Sequence, residues 1–153
     1  MVGKELAAAR VPVIVSALRD LPDAFENLGA RLDNAALLSR AGVQFAISPR
    51  EGDGPFSRTL RLEAGNAVAH GLPWEAALSA VTRVPAEIFE VSATLGTLVP
   101  GRSADVVIWT GDPFEPLTRP RQVIIRGREV PLRSRQTELR DRYRDLRAAH
   151  LRP

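Results

Sequence analysis

The sequence contains no cysteine and only two histidines, His70 and His150. The lack of cysteine excludes a disulfide framework and a thiolate metal site, and it leaves the redox compartment undetermined. The two histidines form neither an HxH nor an HExxH pair, so the imidazoles of this chain do not by themselves predict a metal site. His70 stands at the expected end of a helix, where the helix dipole alone favours a histidine.

Long apolar runs are also missing. No stretch is apolar over the length that a membrane-spanning helix requires. The first ten residues, MVGKELAAAR, lack the continuous apolar segment of a signal peptide. We therefore expect a cytoplasmic protein, unless a preceding segment carries a signal. With 44% hydrophobic and 25% charged residues, the composition is typical of a soluble globular domain with a buried core.

Lysine is nearly absent, and arginine supplies the positive charge. The net charge is +3, but from residue 119 onward arginines clearly outnumber the acidic residues. Such a basic end can attract nucleic acid. We favour a solvated helix instead, because Glu138, Asp141 and Asp145 are spaced among the arginines so that charges pair on one face.

The first half of the chain has the pattern of a parallel sheet. Val11–Val15 and Val43–Ile47 are short apolar runs, and Ala30–Ala41 between them has helical spacing with Gly42 as its stop. This order predicts a βαβ unit. Three helices are expected next, over Arg58–His70, Trp74–Thr82 and from Pro85 through Phe89.

The second half centres on residues 94–113, TLGTLVPGRSADVVIWTGDP. Leu95–Leu98 and Ala104–Trp109 are strand-like and flank Pro100-Gly101, which predicts a β-hairpin or a tight strand pair. The continuous apolar run from Val106 to Trp109 predicts a strand covered on both faces. Asp112, before Pro113, is expected to cap a turn.

The end of the chain predicts one more strand pair and a helix. Gln122–Ile125 and Glu129–Leu132 are the strands, with a turn at Arg126-Gly127-Arg128. Ser134 is the expected N-cap of a helix over Arg135–Ala149.

Two groups of polar residues are candidates for chemistry. The loop Ser48–Ser57 leaves the second strand, and Glu51 and Asp53 within it could hold a metal or a proton. The same residues, GDGP above all, also fit an ordinary surface turn. Glu63, Asn66 and His70 share one helix face, which we interpret as the solvated side of an amphipathic helix rather than a site.

Three stretches follow one another in a characteristic order: EAGNAVAHGLPWEAALSAVTRVPAEIFEV (63–91), LGTLVPGRSADVVIWTGDPFEP (95–116) and VIIRGREV (123–130). Residues 82–86 form a T-x-x-P-A step, and residues 96–107 match G-x-L-x-x-G-x-x-A-D-V-V. In this combination the chain resembles the C-terminal part of a metal-dependent amidohydrolase of the imidazolonepropionase-like kind. The resemblance extends over nearly the whole chain.

The resemblance implies an α/β fold with the last two βα units of a TIM-like (β/α)8 barrel. Val11–Val15 would be the seventh strand and Val43–Ile47 the eighth, so the barrel would be incomplete. Residues 1–92 would form the partial barrel, residues 93–133 the C-terminal strands of a small β-sandwich, and residues 134–153 a basic terminal helix.

The resemblance also implies a divalent metal, with zinc as first choice, in the complete enzyme. Of the family's ligands, only the aspartate that ends the eighth strand would fall within this chain. The expected Ser/Thr-Asp step reads Ser48-Pro49-Arg50, so Asp53 becomes the candidate metal ligand and catalytic residue. Ser48, Arg50 and Glu51 are the candidate substrate-binding residues. No metal is expected on this chain alone.

The function implied is hydrolysis of non-peptide carbon–nitrogen bonds in amides or cyclic amides. The chain alone is expected to be inactive, because several ligands are needed to fix a metal that activates water. Its partner would be the N-terminal barrel segment, or a second copy bound through exposed apolar surface. A non-catalytic remnant or assembly module is the alternative, and a basic nucleic-acid-binding module is a further, less favoured one.

Overall fold

The computed structural model describes residues 2–18, 25, 28–49 and 59–149, with side chains up to residue 144. The elements, in chain order, are α1 (Gly3–Ala9), β1 (Val13–Val15), α2 (Asn34–Arg40), β2 (Phe45–Ile47), α3 (Leu60–Ala69), α4 (Trp74–Ala80), α5 (Arg83–Ile88), β3 (Val106–Trp109), β4 (Pro120–Ile125), β5 (Arg128–Val130) and α6 (Arg135–Ala149).

The predicted βαβ unit is confirmed. β1 and β2 pair in parallel, with Val13 opposite Phe45 and Val15 opposite Ile47. The pairing continues beyond the strands, because Val13 N–H donates to the Gln44 carbonyl (3.1 Å) and Ser48 N–H donates to the Val15 carbonyl (2.9 Å). All three residues of β2 are buried, whereas Ile14 in β1 is 52% exposed. The strand pair is therefore covered mainly over β2.

Small side chains bring the helices close to β2. The buried core combines alanines of α2, α3 and α4 with the larger side chains of Leu38, Phe45, Ile47, Leu72 and Phe114. Alanine leaves room for helix backbones to approach the sheet, and the larger residues fill the remaining space at the density of a protein interior. Each buried Phe or Ile side chain stabilises the fold by about 1.5–3 kcal/mol relative to its exposed state.

Helix boundaries differ from the expected ones by a few residues. The largest difference in start is at α2, which begins at Asn34 rather than Ala30. Pro85 does not begin α5, since that helix already starts at Arg83. Pro85 is its third residue, a first-turn position where the backbone N–H has no helical acceptor to lose.

The predicted hairpin between Leu95–Leu98 and Ala104–Trp109 is wrong. β3 pairs antiparallel with β4 instead, Val106 opposite Ile124, and β4 pairs with β5. The segment around Gly96 turns against α5: Gly96 has φ +91°, and a Cβ there would lie 2.7 Å from the Ala86 Cβ. Contact with a distant helix thus takes this segment out of the sheet.

The expectation that Val106–Trp109 is covered on both faces is also wrong. Val107 is 40% exposed and Ile108 is 42% exposed. The described residues form a three-stranded sheet in the order β3-β4-β5, so β3 is an edge strand. Its apolar run therefore does not report burial within this chain.

The predicted N-cap of α6 is confirmed. Ser134 Oγ accepts from Thr137 N–H (3.3 Å), and Thr137 Oγ1 accepts from Ser134 N–H (2.9 Å). These reciprocal bonds satisfy two donors at the helix start. The described side chains of α6 are mostly exposed, as expected for a solvated helix.

The described strands make no closed barrel: they form one parallel pair and one three-stranded antiparallel sheet. The chain is nevertheless α/β in class, with helices packed on β2. Over the described ranges, no helix combines the length and the apolar character needed to cross a membrane.

Candidate functional site

The carboxyl ends of β1 and β2 place two loops side by side. The turn Ser16–Leu18 follows β1 directly, and Ser48 follows β2. The bond from Ser48 N–H to the Val15 carbonyl (2.9 Å) joins the two chain segments at this edge. Loops at the carboxyl ends of parallel strands are where α/β proteins carry their binding and catalytic groups. We call this region the strand edge.

The side chain of Glu63, from α3, contacts the turn that follows β1 at the strand edge. Its Oε2 accepts hydrogen bonds from Ala17 N–H (2.6 Å), Leu18 N–H (2.7 Å) and Ser16 Oγ–H (3.2 Å). The residue is only 2% exposed. The interpretation of Glu63 as part of a solvated helix face is therefore wrong, because the turn after β1 covers its carboxylate.

The other two members of that helix face do not join Glu63. Asn66 Nδ2 donates to the Leu62 carbonyl (3.1 Å), and His70 Nδ1 lies 2.8 Å from the Asn66 carbonyl. Both side chains thus satisfy backbone groups of their own helix. His70 stands at the C-terminal end of α3, the position expected from the sequence.

Only one of the sequence-predicted site residues can be placed. Ser48 lies at the strand edge, half-buried, with its hydroxyl 3.2 Å from the Pro49 carbonyl. Arg50, Glu51 and Asp53 lie outside the described residues, as does His150. Their proposed roles remain predictions.

The described residues do not fit a metal centre on their own. Within the described ranges, no three His, Cys, Asp or Glu side chains lie close enough together to hold an ion. The Glu63 carboxylate at the strand edge already accepts three hydrogen bonds on Oε2, which occupies that oxygen. A metal in this region would need donors from residues beyond those described.

A second polar cluster joins the helices to the antiparallel sheet. Asp112 accepts from Phe114 N–H (2.9 Å), which confirms its role in a turn, and from Trp74 Nε1–H at 3.0 Å. Arg61 donates to the carbonyls of residues 113, 115 and 116 at 3.1, 2.7 and 3.1 Å. Its guanidinium also lies 5.7 Å from the Trp109 ring centroid. We call the contacts of the Arg61 guanidinium with these three carbonyls and with the Trp109 ring the Arg61 clamp.

Gly65 permits the close approach beneath this clamp. A Cβ at residue 65 would lie 2.8 Å from the Phe114 carbonyl oxygen. Phe114 in turn packs against Trp74, with ring centroids 5.4 Å apart. The absent side chain therefore lets residues 113–116 lie directly on α3.

Asp105 is the ionisable group of the sheet with a clear shift. Its carboxylate accepts from Arg126 N–H (2.7 Å) and from Ser103 Oγ–H (2.9 Å), and these bonds hold its pKa below the usual value of 3.8. The backbone bond from Arg126 is the larger cause. The Asp105 carboxylate thus holds the turn between β4 and β5 in place.

A cavity of about 880 Å³ lies away from the strand edge. It opens between the start of α3, the α4–α5 corner and the inner face of β3, and its lining is mainly apolar. Among its polar lining residues, Asp105 accepts from Ser103 and from the Arg126 backbone, and Arg61 donates to the carbonyls of residues 113, 115 and 116.

Sequence reasoning missed Glu63, although the sequence carries a signal for it. Glu63 precedes Ala67 by four residues and lies three after Leu60, so helical spacing places it on the apolar face of α3. A carboxylate on an apolar face needs donors from elsewhere in the fold. Which backbone supplies them depends on tertiary packing, which the spacing does not contain.

These features define an α/β chain with paired parallel strands of the type that builds TIM barrels. A sequence profile described as "Amidohydrolase family" matches residues 56–131. The curated protein Amidohydrolase tasK of Hapsidospora irregularis is 41% identical over 64 residues, which are 42% of this chain and 6% of that protein.

Solved structures agree with these matches. An amidohydrolase from Thermotoga maritima MSB8 superposes with a TM-score of 0.79 and 30% identity, over 86% of this chain and 34% of that one. A second amidohydrolase, at 22% identity, superposes with a TM-score of 0.63 over 86% of this chain and 37% of its own, which supports the fold. The chain belongs to the amidohydrolase superfamily, and it spans about a third of the length of these structures.

Proposed function

We propose that this chain forms the last two βα units of an amidohydrolase barrel, and that the completed barrel hydrolyses a non-peptide carbon–nitrogen bond in an amide or a cyclic amide. The main support is the strand edge, where the ends of two parallel strands present adjacent loops. The superfamily supplies the class of reaction. The chain by itself is proposed to be inactive.

The proposed substrate-side residues follow β2. Ser48 stands at the end of the strand, and Arg50 and Glu51 come next in the sequence, where they would bind polar groups of the substrate. Asp53 would accept the proton released as water attacks the amide carbonyl, and it would be a metal ligand. A divalent metal, zinc by first choice, would lower the pKa of that water.

The proposed partner completes the sheet. Two strands cannot close a barrel, because closure needs a full ring of tilted strands. β1 and the segment before it offer an apolar surface for such neighbours, since Ile14 of β1 is 52% exposed and Val11, two residues before the strand, is 45% exposed. The neighbour would be an N-terminal barrel segment or, without it, a second copy of the chain.

Asp53→Asn in the complete protein tests this function. The protein is loaded with zinc and assayed on hydantoin, dihydrouracil and N-acetyl amino acids. We expect turnover of at least one probe, reduced at least about a hundredfold in Asp53→Asn, because a lost ligand or base removes several kcal/mol of transition-state stabilisation. Asp33→Asn is the control, since Asp33 pairs with Arg31 on the surface.

Unchanged turnover in Asp53→Asn would remove Asp53 from the mechanism. A non-catalytic assembly module is the second candidate, and Arg50 favours it, because arginine stands where the resemblance expects the ligand aspartate. That candidate predicts that the complete protein turns over none of the probes. It also predicts that the 153-residue chain still binds the barrel segment.

A further inference from the structure

We propose that Glu63 is a positioning residue, whose buried carboxylate holds the Ser16–Leu18 turn in the conformation that lines the strand edge. This assignment to the substrate side rests on the function proposed above. It goes beyond that function by naming a residue of α3, distant in sequence from both strand ends, that sets the geometry of one wall of the site.

The contacts are concentrated on a single oxygen. Glu63 Oε2 accepts two successive backbone N–H groups, those of Ala17 and Leu18, at 2.6 and 2.7 Å. These lengths lie at the short end of the range for N–H donors bonded to a carboxylate. The bond from the Ser16 hydroxyl adds a side-chain contact at 3.2 Å. Donors and acceptor are 45 to 47 residues apart, so the link is tertiary.

A stabilising role alone does not explain a carboxylate here. Ala64 and Ala67 beside it on α3 and Ala17 above it are all buried. Removing a carboxylate from water is costly, and hydrogen bonds offset that cost only in part, so the carboxylate itself adds little net stability. An apolar residue, however, would leave the N–H groups of Ala17 and Leu18 without this acceptor. What Glu63 adds is therefore one defined conformation of the turn.

The turn is located where that conformation matters. It follows β1 without an intervening residue and lies beside Ser48, which is joined to Val15 at 2.9 Å. Leu18 is 39% exposed and Ser16 is half-buried, so both remain available to a ligand at the edge. A turn ordered beforehand by Glu63 spares a ligand the entropy of ordering it, and this benefit appears in binding.

Amide hydrogen exchange in the complete protein tests the proposal. In Glu63→Gln the size is kept and the charge is lost, so the bonds weaken from charge-assisted to neutral ones. We expect exchange at Ala17 and Leu18 to rise about tenfold, with β2 and the rest of α3 unchanged. Glu75→Gln is the matched control, since Glu75 is an exposed glutamate of α4. Ser16→Ala should leave both amides protected, because the two backbone bonds remain.

Kinetics separate a positioning role from a general structural one. On the amide probe that the complete protein turns over, Glu63→Gln should raise KM about tenfold with little change in kcat, because an unordered turn weakens binding. A residue that only supports the core would instead lower the melting temperature and the active fraction at constant KM. If no probe is turned over, the proposed function fails, and the exchange experiment still decides the role of Glu63.

Three results would overturn the proposal: unchanged exchange at Ala17 and Leu18 in Glu63→Gln, equal loosening throughout α3, β1 and β2, or constant KM with reduced stability. Should Glu63→Gln not fold, the unsubstituted protein provides the test. Its Ala17 and Leu18 amides must be protected from exchange, and exchange at the rate of an unstructured peptide would refute the contact.

Discussion

Asp105 and Glu63 show what a carboxylate does when backbone groups surround it. Both accept backbone N–H groups from segments distant in sequence, Arg126 for Asp105 and Ala17 and Leu18 for Glu63. The residue types were visible in the sequence, but Glu63 was assigned to the solvated face of α3 together with Asn66 and His70, although it also shares a face with Leu60 and Ala67. The donors could not be predicted, because each becomes a neighbour only when separate elements pack together.

Asp105→Asn should make the stability of the sheet less dependent on pH. The pKa of Asp105 in the folded chain is held below its usual 3.8 by the Arg126 backbone bond and then by the Ser103 hydroxyl. The ionised carboxylate therefore stabilises the fold above pH 3.8 or so, and this contribution is lost as the pH falls through the folded-state pKa. Melting curves across acidic and neutral pH check it.

At neutral pH, Asp105→Asn should melt at a lower temperature than the unsubstituted chain, and the two should converge in strong acid. Ser103→Ala removes only the second of the two donors, so it should show a smaller gap of the same sign. A gap that stays constant from neutral pH into strong acid would contradict the role given to the carboxylate.

The elements differ in how well local sequence predicts them. β1, α2 and β2 follow from apolar runs and from Gly42, which has φ +76° after α2, so local chemistry sets both the elements and the turn. Leu95–Leu98 has a similar apolar pattern but is not a strand, because Gly96 fits against Ala86 of α5. The edge position of β3 depends likewise on which strands pair, and its apolar run could not reveal that.

Arg61→Lys should loosen the junction between α3 and residues 113–116. A lysine ammonium cannot contact three carbonyls at once with the fixed fork of a guanidinium. We expect a loss of about 1–2 kcal/mol in the free energy of unfolding. Urea unfolding followed by tryptophan emission measures it, because Trp109 and Trp74 are the two tryptophans of the chain and both lie at this junction.

Arg31→Lys is the control for the clamp, since the Arg31–Asp33 pair is solvent-exposed and such pairs contribute little. Equal effects of the two substitutions would mean that the Arg61 contacts add nothing beyond an ordinary surface arginine. An unchanged emission spectrum in Arg61→Lys would argue against the stacking on Trp109.

At the scale of the whole molecule, membership in the amidohydrolase superfamily was predictable from the sequence, because its motif residues hold local turns. Gly96 and Gly101, for example, have φ of +91° and +88°. The proposed catalytic residues were less predictable. The described residues hold no cluster of metal ligands, and Asp53 lies outside them. A site assembled from several strands cannot be deduced from two of them.

Ile14→Lys should reduce association of the 153-residue chain with itself. Ile14 stands in the middle of β1 and is 52% exposed, so a second copy or a barrel segment would bury it. Loss of that burial, about 1.5–3 kcal/mol, weakens association at least about tenfold. Sedimentation velocity over a range of concentrations measures the change.

Leu117→Lys serves as the matched control, because Leu117 is 90% exposed but lies in the loop between β3 and β4, away from the parallel strands. It should associate as the unsubstituted chain does. A chain that stays monomeric at every concentration, or equal weakening by both lysines, would exclude β1 as the contact surface.

The hydrogen bonds of the Arg61 clamp go only to main-chain oxygens, those of residues 113, 115 and 116. Every amino acid carries that oxygen, so as far as this contact is concerned the identities of these three residues are interchangeable. Their spacing is not. Over evolutionary time this connection can accept replacements freely, whereas one inserted or deleted residue would shift the oxygens out of reach of the guanidinium and separate the sheet from the helices.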